Sequence, residues 1–124
     1  MSEKTVLIVD DNEEFAEFVR DAAEQLSYRS VILTDSRQFS ALFGRVKPDI
    51  LVLDIVMPNV EGTEIVQWLI NQEARTRVIL VSGSNPLYSR IAKTLGEARG
   101  LGPVTVLQKP VRLEALRDAL SAAV

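Results

Sequence analysis

Five short apolar runs constrain this chain more than any other feature: residues 6 to 9, 30 to 33, 50 to 53, 78 to 81 and 104 to 107, each rich in Val, Ile and Leu. They are continuous and do not alternate with polar residues, the pattern of strands covered on both faces and hence of a parallel sheet. Helical spacings fill the gaps. Phe15, Phe18, Val19, Ala22 and Leu26 form the first, and Phe39, Leu42 and Phe43 the second. Ile65, Val66, Leu69 and Ile70 supply the third, Tyr88, Ile91, Ala92 and Leu95 the fourth, and Leu113, Leu116 and Leu120 the last. The order is (βα)5, an α/β chain, and right-handed crossovers make it a doubly wound five-stranded parallel sheet with helices on both faces.

Boundary chemistry agrees with these elements. Asn12 is placed to cap the first helix, Asp35 with Gln38 forms a capping-box pattern, and Gly100 and Gly102 with Pro103 stop the fourth helix. A length of 124 residues sets one domain. The last helical spacing runs towards Val124, so the expectation is a single domain over 1–124 with no output domain in this chain. Met57 and Trp68 read as packing residues.

Composition removes whole classes of function. With 14 basic and 17 acidic residues the chain lacks the basic excess that phosphate-backbone binding relies on, so direct nucleic-acid binding is not expected. No apolar stretch approaches the roughly 18 residues that span a bilayer, and the start Met1-Ser2-Glu3-Lys4 has no long apolar segment. The expected location is cytoplasmic, without membrane contact. The absence of Cys excludes disulfides and thiol nucleophiles, and the absence of His excludes His-based triads, His metal sites and a phosphohistidine on this chain.

What remains is concentrated where the runs end. Asp10 and Asp11 follow the first run and Asp54 the third, while the fourth leads into Ser82 and the fifth into Lys109. If the strands are parallel, all five side chains lie at their carboxyl ends, the edge where open α/β sheets bind ligands. Three acids held together repel strongly and need a counter-cation. Lys109 supplies one charge, and a hard divalent ion bound through one or two carboxylates suits Mg2+. A carboxylate is also a competent nucleophile towards phosphorus. Each member has a plainer role as well: an acidic pair after a strand is common turn or cap chemistry, and Ser82-Gly83-Ser84-Asn85-Pro86 is good turn sequence. Here Asn12 is free to do the capping, and four such coincidences at one edge are needed.

Asp10-Asp11, the segment Asp54-Ile55-Val56-Met57-Pro58-Asn59-Val60-Glu61-Gly62, Ser82-Gly83 and Lys109-Pro110 together resemble the receiver domain of two-component response regulators, the CheY-like superfamily, over essentially the whole chain. The resemblance implies a flavodoxin-like strand order 2-1-3-4-5. It also implies phosphorelay signalling: Asp54 as phosphoacceptor, Asp11 as a direct Mg2+ ligand, Asp10 as an acid holding metal-bound water, and the Val56 backbone carbonyl as a further ligand. Ser82 corresponds to the switch hydroxyl and Lys109 to its paired amine, with a Lys109-Pro110 bond that is usually cis in the family. The implied partners are a sensor histidine kinase or a histidine phosphotransfer protein as donor, and an effector that the sequence does not name; a homodimer through the fourth and fifth helices is compatible with it. No independent enzymatic activity is implied beyond self-phosphorylation and dephosphorylation.

Two departures from the family pattern stand out. Val106 occupies the position three before Lys109 that is often Tyr or Phe, so a rotating aromatic ring is not available to carry the signal. The interval from Ser82 to Lys109, 109 − 82 = 27 positions, is longer than is common. Two alternatives compete with the phosphorylation switch. A receiver-like interaction module that works without phosphorylation would have no reason to keep so costly an acidic cluster. A flavodoxin-like FMN binder needs a phosphate-friendly loop after the first strand, where Asp10-Asp11-Asn12-Glu13-Glu14 would repel the phosphate.

Overall fold

The computed structural model describes residues 4–55, 62–83, 87–101 and 104–122, with backbone alone at 62, 63 and 87–89. Its elements alternate as expected: β1 (Thr5–Val9), α1 (Glu13–Gln25), β2 (Arg29–Leu33), α2 (Phe39–Val46), β3 (Ile50–Asp54), α3 (Gly62–Asn71), β4 (Arg77–Ser82), α4 (Leu87–Ala98), β5 (Val104–Gln108) and α5 (Leu113–Ala122). All pairings are parallel, and the strand order is β2-β1-β3-β4-β5.

The period of two along each strand sorts the apolar runs into two cores. Leu7, Val9, Leu51, Leu53, Val78 and Leu80 face α2, α3 and α4, where Phe39, Ile65, Val66, Leu69 and Ala92 close over them. Val6, Ile8, Ile50, Val52, Ile79 and Val81 face α1 and α5, where Ala16, Val19, Ala22, Ala23, Leu116 and Leu120 pack. Both layers are filled, which is why the central runs needed no polar residue. Alanines at 16, 22 and 23 let α1 lie close on the sheet, while Phe15 and Phe18 sit at the margin of that contact. Trp68 is a packing residue, its ring edge-on to Phe39 and Phe43 with both centroids at 5.5 Å.

β2 and β5 are the sheet's edges. An edge strand leaves unpaired backbone groups, and α4 covers those at the start of β5. Lys93 Nζ donates to the Val104 carbonyl at 2.7 Å, and the Val104 N–H donates to Glu97 Oε2 at 3.0 Å. The Val104 hydrogen bond, aided by the Lys93 ammonium, holds the Glu97 carboxyl below its ordinary value against a smaller opposing effect of desolvation.

Three local features differ from the sequence pattern. Asp35 does not share a capping box with Gln38: it caps a single 3₁₀ turn at Ser36–Gln38 and its carboxylate is taken by the Arg37 fork, with bonds of 3.0 Å from both Nε and Nη2. Gln38 contributes only its backbone N–H to Asp35, and α2 starts at Phe39. Ile91, placed on the apolar spacing of α4, is 51% exposed. α1, α2 and α3 are followed by left-handed residues that are not glycine, Ser27, Lys47 and Glu73, so no glycine in the sequence announced those ends. Gly100 does end α4 as expected, with φ of 89° and the Leu101 N–H returning to the Gly96 carbonyl at 2.9 Å.

Candidate functional site

Register brings the strand-end residues to one edge. Val9 pairs with Leu53, so Asp10 and Asp54 emerge side by side from β1 and β3; Asp54 pairs with Val81, which places Ser82 one step beyond it, and Ser82 pairs with Gln108, just before Lys109. The carboxylates of Asp10, Asp11 and Asp54 each offer an oxygen within 4.8 Å of the others. Asp10 and Asp54 are buried and Asp11 is exposed.

Lys109 bridges the two buried acids, with Nζ 3.1 Å from Asp10 Oδ2 and 3.8 Å from Asp54 Oδ2. Its backbone N–H donates to the Ser82 carbonyl at 2.8 Å, and the Lys109–Pro110 peptide is cis. Asp10 uses its other oxygen, Oδ1, to accept the Asn12 N–H at 2.8 Å, while Asn12 Oδ1 caps α1 by accepting the Phe15 N–H at 3.1 Å. The Ser82 hydroxyl is fully buried and has no hydrogen-bond partner among the described residues. A buried donor without a partner is costly, and here it stands beside the acidic cluster.

The electrostatics define what this edge can hold. At 4.8 Å and an effective dielectric near 20, each carboxylate pair repels by roughly 3.5 kcal/mol, a large share of a total stability of about 5 to 15 kcal/mol. Three acids and one lysine leave two negative charges uncompensated within the cluster. A divalent cation matches that deficit, and an all-oxygen donor set selects hard ions of the Mg2+ and Ca2+ class over zinc or copper. The residues therefore fit a hard divalent ion held by Asp10, Asp11 and Asp54.

Every side chain singled out at the strand ends reaches this edge. The Val56 carbonyl lies outside the described residues. Val106 is described: it is half-buried in β5 and packs against the core under α4. Phe15 was not anticipated here. It follows helical core spacing in the sequence, yet its ring centroid is 4.5 Å from Lys109 Nζ.

Fold and site together define a small α/β domain with an acidic edge whose residues could hold a metal ion, and comparison with known proteins gives the family. A family model, the response regulator receiver domain, matches residues 6–121. The Regulator of RpoS from Escherichia coli K12 is 31% identical over 120 residues, covering 96% of this chain and 34% of that protein. The C4-dicarboxylate transport transcriptional regulatory protein DctD of Pseudomonas aeruginosa is 29% identical over 115 residues, covering 93% of this chain and 24% of its own. Among solved structures, the Vibrio cholerae chemotaxis protein CheY4 has the same fold, with a TM-score of 0.84 at 21% identity, covering 99% of this chain and 100% of that one. The chain belongs to the response regulator receiver domain family. It spans about a third or less of the length of these two curated relatives. No helix among the described residues is long and apolar enough to cross a membrane.

Proposed function

We propose that this receiver accepts a phosphoryl group on Asp54 from a phosphohistidine of a sensor histidine kinase or a histidine phosphotransfer protein, with Mg2+, and that the added charge switches its binding to an effector. The observation that carries this reading is the surroundings of Asp54: a side chain 10% exposed, two acids within 4.8 Å and the Lys109 ammonium at 3.8 Å. Such a group has little access to water and a ready counter-charge for anything anionic attached to it.

In the transfer, an Asp54 oxygen forms a bond to phosphorus as the phosphorus–nitrogen bond of the donor breaks, its electron pair returning to the imidazole nitrogen. Asp11, Asp54 and the Val56 carbonyl would hold Mg2+, with Asp10 holding metal-bound water, and the bound ion would supply charge neutralisation at the phosphoryl oxygens. Lys109 turns from Asp54 to a phosphoryl oxygen, and the Ser82 hydroxyl gains the acceptor it lacks. Water later takes the phosphoryl group, so the domain catalyses only its own modification and its reversal.

The phosphoryl group adds about −1.5 to −2 charge, enough to bias two arrangements of the edge it touches. Val106 has no ring to rotate, so the change passes through the backbone of β5 and the position of α4, which Lys93 and Glu97 fasten to Val104. Ile91 on α4 and Leu113 on α5, 51% and 36% exposed, offer apolar surface to an effector or a second copy.

Peptide mapping of the phosphorylated protein tests the acceptor. The modification is expected at Asp54 and lost in Asp54→Asn; labelling that persists in that variant at any site other than Asp10 or Asp11 would sink the assignment.

A further inference from the structure

A ring of contacts closes around the Lys109 ammonium. Asp10 Oδ1 accepts the Asn12 N–H at 2.8 Å, and Asn12 Oδ1 accepts the Phe15 N–H at 3.1 Å. The Phe15 ring centroid lies 4.5 Å from Lys109 Nζ, and Lys109 returns to Asp10 Oδ2 at 3.1 Å. The two oxygens of one carboxylate thus fix both ends of a chain of four residues.

We propose that Phe15 is a positioning residue: its ring holds the Lys109 ammonium at the place where it meets the phosphoryl group on Asp54, and so sets the rate of phosphoryl gain. This rests on the reading of Asp54 as acceptor.

Lys109 needs such a hold. Its stem is four flexible carbons and its side chain is 27% exposed, so its ion pairs with Asp10 and Asp54 compete with water and with side-chain entropy. An aromatic face within about 6 Å attracts an ammonium through the ring quadrupole and accepts no directional bond from it. All three N–H donors of the ammonium stay available for oxygens, those of Asp10 and Asp54 at rest and of the phosphoryl group afterwards. A polar side chain at position 15 would take one of them. The ring is itself held in place: it is half-buried against the α1–α5 core, and its centroid is 6.0 Å from that of Phe18.

Phe15 could instead be a margin residue of the core that touches Lys109 by accident, and two variants separate these roles. Phe15→Leu keeps apolar bulk and removes the ring; Phe15→Tyr keeps the ring. The first readout is the NMR signal of the Lys109 Cε methylene in Mg2+-free, unphosphorylated protein. Ring current is expected to move it upfield of the Lys4, Lys47 and Lys93 signals in the wild type and in Phe15→Tyr, and not in Phe15→Leu. The second is the rate at which Asp54 is phosphorylated by acetyl phosphate with Mg2+. Phe15→Leu is expected to be about fivefold slower or more, the effect of losing one cation–ring contact, with Phe15→Tyr within about twofold of wild type. Thermal unfolding confirms that each variant is folded.

A Lys109 methylene that coincides with the other lysines in the wild type overturns the contact. A Phe15→Leu rate equal to wild type, or a Phe15→Tyr rate as slow as Phe15→Leu, overturns the positioning role. A wild type that shows the ring-current shift but gains no phosphoryl group from acetyl phosphate or from a phosphohistidine donor overturns the phosphoryl role through the acceptor reading and leaves the contact standing.

Discussion

The Lys109 backbone N–H donates to the Ser82 carbonyl at 2.8 Å, so the amine and the hydroxyl of the site hang from one hydrogen bond between the ends of β4 and β5. Their side chains differ in what they do for the fold. Lys109 pairs with Asp10 and Asp54, whereas the Ser82 hydroxyl is buried with no partner among the described residues.

Ser82→Ala therefore removes a desolvated donor and no described hydrogen bond. Stability is expected to be unchanged or higher by up to about 1 kcal/mol, measured by urea unfolding without Mg2+. The phosphorylated state of the same variant is expected to be less populated, because a donor to the phosphoryl oxygen is gone. A loss of stability well beyond 1 kcal/mol would show that the hydroxyl serves the resting fold.

Asp54→Asn separates the resting fold from the metal. Among the described interactions, neutralising Asp54 removes repulsion from Asp10 and Asp11, within 4.8 Å, and attraction to Lys109 at 3.8 Å. Asp11 is exposed and its share is screened, so repulsion and attraction largely cancel and the variant is expected within about 1 kcal/mol of wild type in Mg2+-free buffer. Mg2+ stabilises whatever binds it, so the wild-type transition is expected to move up with added Mg2+ by more than that of the variant. Equal Mg2+ responses would remove Asp54 from the metal site.

Glu97 gives a pH dependence. Its carboxyl is held below the ordinary glutamate value chiefly by the Val104 N–H, so the folded state binds its proton less readily than the unfolded chain. The stabilisation is complete above the ordinary glutamate value and is lost as the pH falls through the lowered one. Wild type is expected to melt above Glu97→Gln at about pH 6, with the gap narrowing as the pH falls below the ordinary glutamate value of about 4.3. A gap that stays constant below that value would mean that the charge on Glu97 contributes nothing.

How much of this was legible beforehand follows from which residues had two readings. The strands were plain because burial on both faces allows only continuous apolar runs, as at Ile50 to Leu53, and the acids at Asp10 and Asp54 were plain because each closes such a run. Phe15 carried one signal, helical core spacing, and its proximity to Lys109 arises from residues 94 positions apart, which no local pattern encodes. Ile91 shared its spacing with the buried Ala92 but lies on the outward side of α4. Asp35 and Gln38 sat at capping-box distance, yet the intervening Arg37 offered the carboxylate a stronger partner. The helix ends at Ser27, Lys47 and Glu73 use a conformation that glycine usually signals.

The most direct measurement is the intact mass of the protein after incubation with acetyl phosphate, with and without Mg2+, beside Asp54→Asn. A gain of one phosphoryl group that requires Mg2+ and is absent from the variant is the expected result. An equal gain in Asp54→Asn, or a gain indifferent to Mg2+, would contradict a metal-assisted phosphoacceptor at Asp54; no gain with acetyl phosphate or with a phosphohistidine donor would favour an interaction module that works without phosphorylation.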